Sequence, residues 1–211
     1  GMWIRVSTFL LVFGRFVFRC LTDASKASKK MGKEKKYFVF DLDNTLVKTD
    51  LANTNSYAEA IKAITGIEIQ ISKTRITREK LPQYLPSLSS TQISKIIESK
   101  EELFIRHIKE TILNQQLIKI LLLIKGQGED TILLTECRER RAKELCSYWS
   151  ISQFFDKQFY KENYSGVSKY QFLQAIVAET KSVVLFENEH YEIQKALKYN
   201  LYENQIIKVK F

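Results

Sequence analysis

Tyr37-Phe38-Val39-Phe40-Asp41-Leu42-Asp43-Asn44-Thr45-Leu46-Val47 is the stretch on which the fold turns. Its first half is a short apolar run bounded by charge, the pattern of a strand buried in a parallel sheet. Its second half becomes polar at once. Two carboxylates alternate around Leu42, so one loop can aim both beyond the strand's carboxyl end, where open α/β sheets bind ligands. Such a pair can hold a hard cation such as Mg²⁺ through oxygen. One carboxylate can attack phosphorus while the other handles the proton. The plainer reading is an acidic turn, with Asp and Asn chosen for turn chemistry.

Working outward, similar apolar runs occur at 131–135, 182–186 and 206–210, with a weaker one at 155–160. Helical patterns at 115–125, 139–149, 168–179 and 192–199 separate them. Strands alternating with helices predict an α/β fold, a Rossmann-like core with a parallel five-stranded sheet. Nearly ninety residues lie between the first two strands, too many for one crossover helix. They read as helices at 54–65, 77–84 and 91–112, the last capped from Ser90-Thr91-Gln92. The expected organisation is an extension at 1–36, a core at 37–50 and 114–211, and an all-helical insertion at 51–113 over the sheet edge.

The other strand ends carry further candidates. Thr135 ends the second strand, where a hydroxyl and backbone N–H groups can hold phosphate oxygens. Lys169 opens a helix after Ser165-Gly166, and a cation there can neutralise a nucleophile and a phosphoryl group. Glu187-Asn188-Glu189 follows the fourth strand, with Glu192 a turn further on. Taken singly, each is more often a cap or a solvated charge.

Their order and spacing together resemble the four-motif signature of the haloacid dehalogenase (HAD) superfamily. The resemblance runs from about residue 36 to the end. The insertion resembles the helical C1 cap of the phosphoglycolate phosphatase and β-phosphoglucomutase group. The resemblance implies that Asp41 attacks phosphorus and becomes an aspartyl-phosphate. Asp43 protonates the leaving oxygen and then activates water. Asp41, the Asp43 backbone carbonyl, and Glu187 and Asn188 of the fourth motif hold Mg²⁺. Thr135 and Lys169 orient and neutralise the phosphoryl group, and Thr45 supports the loop. Arg78, in a segment like one that places a substrate-binding Arg in the cap, contacts a substrate anion, with Arg75 nearby. Asn53, Asn55 and Tyr57 near the hinge are further candidates for substrate contact.

Two departures stand out. Asn188 sits where the pattern has Asp, so it brings an amide oxygen without charge; Glu187 would then take a larger metal role, and Glu192 would replace the distal acid. Glu136 follows Thr135, where it repels phosphate unless it points away or pairs, with Arg138 as one partner. The expected activity is therefore Mg²⁺-dependent hydrolysis of a small phosphorylated metabolite. A phosphosugar mutase and a HAD-fold binding protein with weakened turnover are the alternatives.

Composition supports a packed α/β chain. Of 211 residues 45% are apolar, enough for a core. The net charge of +9 is uneven: residues 1–36 carry nine Lys/Arg against two Asp/Glu, leaving the rest nearly neutral. Nucleic-acid binding by the folded body is thus not expected. Cys20, Cys137 and Cys146 form neither a disulfide framework nor a zinc pattern, which points to a reducing, cytoplasmic setting. His107 and His190 lack metal-ligand partners at helical spacing and read as surface or partly buried residues. Gly1 ahead of Met2 reads as a tag remnant. The apolar stretch 3–21 is interrupted by Arg5, Arg15 and Arg19, too short for a stable membrane span. It fits a signal peptide, an interfacial amphipathic helix, or sequence upstream of a true start at Met31. The sequence fixes no oligomeric state.

Overall fold

The computed structural model describes residues 36–69, 76–78, 80–177 and 182–211. The amino-terminal extension and Arg75 lie outside these residues. Five strands form the main sheet: β1 (Tyr37–Phe40), β4 (Asp130–Leu134), β5 (Lys157–Phe159), β6 (Val183–Glu187) and β7 (Ile206–Lys208). Their order is β5-β4-β1-β6-β7, with every pairing parallel. The chain runs outward from β1 through β4 to β5, then returns to place β6 on the other flank. The switch in direction opens a crevice beyond the carboxyl ends of β1 and β6, where ligands bind in such sheets. The α/β architecture and the five-stranded parallel sheet expected from the sequence are both present.

Apolar burial sets the register at this point. Phe40 pairs with Phe186 across β1 and β6, and their rings stack with centroids 4.4 Å apart. Both are fully buried, each contributing about 2 kcal/mol or more by leaving water. A second group, Val39, Ile132, Leu134, Tyr170, Leu173 and Leu185, packs the sheet against helix α6 (Lys169–Ile176). Helices α4 (Gln115–Gly126), α5 (Glu139–Tyr148) and α7 (His190–Lys198) complete the α/β alternation.

The loop after β1 is tightly wound. The Leu42 carbonyl accepts the N–H groups of Thr45, Leu46 and Val47 at 3.3, 3.0 and 3.0 Å. Asn44 has φ of 59°, a left-handed conformation that asparagine tolerates better than most residues. Its side chain then accepts the Thr49 N–H at 3.0 Å and donates to Asp50 at 2.7 Å. Turn chemistry and site chemistry are thus met by different residues of one loop.

The insertion begins with α1 (Asp50–Thr65), which ends at Gly66 in the left-handed conformation with φ of 71°. Next come the short α2 (Leu81–Tyr84) and then α3 (Ser90–His107). The helix expected over 77–84 starts only at Leu81. Pro82 cannot donate within a helix, so it is placed in the first turn. Ser89, rather than Ser90, caps α3, in a reciprocal box with Gln92. The insertion is not wholly helical. Ile112–Leu113 forms a strand, β3, that pairs antiparallel with β2 (Val47–Lys48), so the segment leaves and returns through a two-stranded stalk. Tyr57, Ile61, Ile76, Leu81, Leu85 and Ile96 give it a core of its own.

His107 fastens the base of the insertion. Its Nδ1 lies 3.0 Å from Glu110 and its Nε2 lies 2.9 Å from Glu59 of α1. Arg106 donates to the same Glu59 at 2.7 Å, and Asn55 donates to Glu110 at 2.6 Å. Burial alone would lower the His107 pKa, but the hydrogen bonds to Glu110 and Glu59 outweigh it and raise it above 6.5. His190, by contrast, is exposed at the start of α7.

A histidine whose folded pKa is raised stabilises fully below its unfolded value, and that contribution fades as pH rises through the folded value. Glu59 is held below 4.5 mainly by its hydrogen bond to His107, so its share is lost only in more acidic solution. Replacing His107 by Gln is expected to destabilise by up to about 1 kcal/mol near pH 6, since these partly exposed charges are screened. The loss should shrink by pH 9. Urea unfolding of both proteins at the two pH values checks this; equal losses would show that charge plays no part.

Candidate active site

Asp41 follows β1, Glu187 closes β6 and Lys169 opens α6. Lys169 Nζ donates to Asp41 Oδ1 at 3.1 Å and to Glu187 Oε2 at 2.7 Å, and lies 3.7 Å from Glu192 Oε2. The side chains of Lys169 and Glu187 are almost wholly sealed, and that of Asp41 nearly so. Ser168 sets the helix start by accepting the Tyr170 N–H at 3.3 Å, and the Tyr170 hydroxyl donates to Glu187 Oε2 at 2.9 Å. The electrostatics follow from this crowding. Burial, and then the Glu187 charge, push Asp41 up to about 8, with Lys169 pulling the other way. Burial alone would depress Lys169, but Asp41 and Glu187 hold it well above the ordinary lysine value.

Thr45 joins two motifs. Its Oγ1 lies 3.1 Å from Asp41 Oδ2 and 3.0 Å from Asn188 Oδ1. Both oxygens therefore cluster about one hydroxyl, and both are hard donors suited to Mg²⁺. The carboxylates Asp41, Glu187 and Glu192 outnumber the two lysines they meet, Lys169 and Lys195, leaving an excess of negative charge that a cation fits. Glu187, expected among the ligands, is otherwise engaged. Its Oε2 accepts from Lys169 and Tyr170, and its Oε1 accepts the N–H groups of Asn188 and Glu189 at 3.0 and 3.2 Å. Among the described residues no three His, Cys, Asp or Glu side chains are arranged as a metal cage. Any ion here would thus rely on the Asn188 amide and main-chain oxygen beside Asp41.

Asp43 faces a different cation. Arg141 Nη2 donates to Asp43 Oδ2 at 2.9 Å, while the Thr49 hydroxyl donates to Asp43 Oδ1 at 2.7 Å. Arg141 also donates to Asn53 Oδ1 at 2.8 Å and to Cys137 Sγ at 2.9 Å. Its Nε lies 3.6 Å from Glu101 of α3. Lys100, beside Glu101, is buried over the rings of Tyr57 and Phe104. Burial, and then the Arg141 charge, bring Lys100 down to about 8.

The remaining candidates divide. Thr135 is buried at the end of β4; its Oγ1 accepts the Cys137 N–H at 3.1 Å, and its carbonyl accepts from the Tyr164 hydroxyl at 2.7 Å. Glu136 pairs with Lys161 at 2.7 Å rather than with Arg138, which is exposed at the α5 N-terminus. Its repulsion of an anion is thereby reduced. Arg78 is exposed on the turn before α2 and has no hydrogen bond or ion pair with the described site residues. Asn55 turns to Glu110, and Tyr57 joins the insertion core, whereas Asn53 reaches the site. Arg141 and Tyr170 were not foreseen. Arg141 had a signal: it shares a buried face with Ala142, Leu145 and Cys146, where a lone charge needs a partner.

No family model matches the chain, and no curated protein matches it by sequence. Solved structures do. It is similar to CbbY from Rhodobacter sphaeroides, solved in complex with phosphate, at 16% identity and a TM-score of 0.69, covering 84% of this chain and 87% of that one. It is similar to a predicted phosphoglycolate phosphatase from Haemophilus somnus at 12% identity and a TM-score of 0.70, covering 82% and 84%. A haloacid dehalogenase-like hydrolase from Streptococcus pneumoniae matches at 20% identity and a TM-score of 0.63, covering 79% and 82%. At these identities the likeness is one of fold, and the fold is that of the HAD-like phosphatases, as the sequence motifs implied.

Lys169→Met keeps the length of the side chain and leaves Asp41 and Glu187 facing each other without a cation. Breaking a buried pair in this way is expected to cost about 3–5 kcal/mol in urea unfolding. Adding Glu187→Gln should recover part of the loss, because one of the stranded charges goes with it. A single-variant loss below about 1 kcal/mol would show that the cluster does not hold the strand ends together.

Proposed function

We propose that this chain hydrolyses a small phosphomonoester through an aspartyl-phosphate on Asp41, with Mg²⁺ as cofactor. The observation that carries the reading is the placing of two neighbouring carboxylates against two different buried cations, Asp41 on Lys169 and Asp43 on Arg141. One carboxylate is thereby suited to attack and the other to proton transfer. In the first half of the reaction an Asp41 oxygen bonds to phosphorus, the bond to the leaving oxygen breaks, and that oxygen takes a proton from Asp43. In the second half Asp43 takes a proton from water, the water oxygen bonds to phosphorus, and Asp41 is released. Lys169 lowers the repulsion between the Asp41 carboxylate and the phosphoryl group, and the Thr135 hydroxyl holds a phosphoryl oxygen. Asp41, the Asp43 carbonyl and Asn188 would hold Mg²⁺, which when bound supplies positive charge against the transferring group.

The helical insertion serves in this reading as a cap. Its support is the approach of Glu101 on α3 to Arg141 of the core. A closing cap excludes water and favours small substrates over phosphoproteins. No described helix is long and apolar enough to cross a membrane. Cys137 and Cys146 are buried, unpaired thiols, which supports placing the protein in the reducing cytoplasm.

Phosphate release from a panel of small phosphomonoesters, with Mg²⁺ or EDTA, tests the proposal. Turnover should need the metal, and Asp41→Asn should lower it by at least about 10³-fold. Asn188→Asp should reduce the Mg²⁺ concentration for half-maximal rate, since it adds a charged oxygen ligand. Turnover appearing only with a bisphosphate activator would instead indicate a mutase. Folded wild type without turnover on any compound would indicate a binding protein.

A further inference from the structure

Three side chains close a hydrogen-bonded ring with the second carboxylate. The Thr49 hydroxyl donates to Asp43 Oδ1 at 2.7 Å, and Asn53 Nδ2 donates to Thr49 Oγ1 at 3.2 Å. Arg141 then donates twice, from Nη1 to Asn53 Oδ1 at 2.8 Å and from Nη2 to Asp43 Oδ2 at 2.9 Å. Thr49, Asn53 and Arg141 are all buried. A guanidinium has donors and no acceptor, so the direction of every bond in the ring is forced by Arg141. The Asn53 amide must turn its oxygen to Arg141 and its nitrogen to Thr49. The Thr49 hydroxyl, receiving that bond, must give its one hydrogen to Asp43.

Arg141 is itself held from its other sides. Its Nε donates to Cys137 Sγ, which lies just ahead of α5, its guanidinium lies 5.0 Å from the centre of the Phe104 ring, and Glu101 faces it at 3.6 Å. Groups from the core, the stalk-side helix α1 and α3 therefore define one guanidinium position. We propose that Arg141, acting through Asn53 and Thr49, is a positioning residue that holds Asp43 as the base for the second half of the phosphatase reaction. This inference rests on the phosphatase reading above.

With both its oxygens accepting hydrogen bonds, Asp43 is oriented to take a proton from water. As that proton moves to Asp43, the water oxygen bonds to phosphorus and the bond from phosphorus to Asp41 breaks. Each oxygen keeps a lone pair beside the hydrogen bond it accepts, so the ring can serve proton transfer in either direction. Where the leaving oxygen needs no proton, only the second half draws on Asp43, and loss of Arg141 should then slow hydrolysis of the aspartyl-phosphate more than its formation.

Rapid-quench kinetics with p-nitrophenyl phosphate and saturating Mg²⁺ separate the two halves, because nitrophenolate leaves without needing a proton. Arg141→Gln is expected to release nitrophenol in the first turnover at close to the wild-type rate. Its steady-state kcat should fall about 10- to 100-fold, the scale of a misplaced general base. A nitrophenol burst and trapped phosphoenzyme should appear with it. Arg141→Lys should restore part of kcat. Asn53→Ala, which leaves the Arg141–Asp43 pair in place, should lower kcat several-fold and also accumulate phosphoenzyme; it decides the matter if circular dichroism shows that Arg141→Gln does not fold. Wild-type kcat in the folded variants, or equal loss in both halves without trapped phosphoenzyme, overturns the positioning role while leaving the phosphatase reading intact. A wild type that turns over no phosphomonoester overturns both.

Discussion

The site is organised around a buried ammonium that offsets carboxylates the sheet cannot keep apart. Phe40 and Phe186 are register partners in parallel strands, so the residues that follow them, Asp41 and Glu187, emerge side by side at the same edge. Their apolar neighbours exclude water from that edge, which makes two unscreened negative charges there costly. Lys169, at the first position of α6, lies within hydrogen-bonding distance of both. Its position is fixed by the Ser168 cap and by the packing of Tyr170 and Leu173 under the sheet. The strand ends, the helix start and part of the core thus depend on one contact. Asp41 is still pushed up to about 8, so the lysine does not balance the cluster by itself, and the site retains a demand for positive charge.

The second carboxylate is handled separately. Asp43 lies two residues from Asp41, yet its cation comes from α5 rather than α6. Two acids sharing one cation would be coupled, and a change of charge on one would be felt at once by the other. Giving each its own partner lets the loop hold two carboxylates in different environments, as the proposed nucleophile and proton carrier require. Such divergence is what an acid–base pair needs. The cost is a second buried cation, and the chain meets it with Asn53, Cys137, Glu101 and the Phe104 ring around Arg141.

Much of this was legible in the sequence. The strand at 37–40 and the acids after it follow from apolar run and polar break, and the five-stranded parallel sheet follows from the alternation of runs with helical patterns. Lys169 and Thr135 could be picked out because each sits at the end of such a run or the start of such a helix. Where the reading failed, the cause was side-chain direction. Glu187 reads as a metal ligand from its position, but its carboxylate turns inward to Lys169, Tyr170 and two backbone N–H groups. Glu136 finds Lys161, twenty-five residues on, instead of its near neighbour Arg138. Arg141 lay hidden in the run Arg138-Glu139-Arg140-Arg141, which looks like an ordinary solvated helix start. A helix over 77–84 is too long because Pro82 fits only a helix's first turn, and the strand β3 is too short, at two residues, to carry a readable period.

The insertion is bound to this chemistry by more than its stalk. Asn53 lies on α1, the first helix of the insertion, and Glu101 and Phe104 lie on α3, yet all three meet Arg141 of the core. Any displacement of α3 removes an acid and an aromatic face from a guanidinium that is otherwise closed off from water. α1 and α3 share the insertion core, and Arg106 and His107 of α3 hold Glu59 of α1, so such a displacement carries Asn53 with it. The bond from Arg141 to Asp43 joins two parts of the core and does not depend on where the insertion sits.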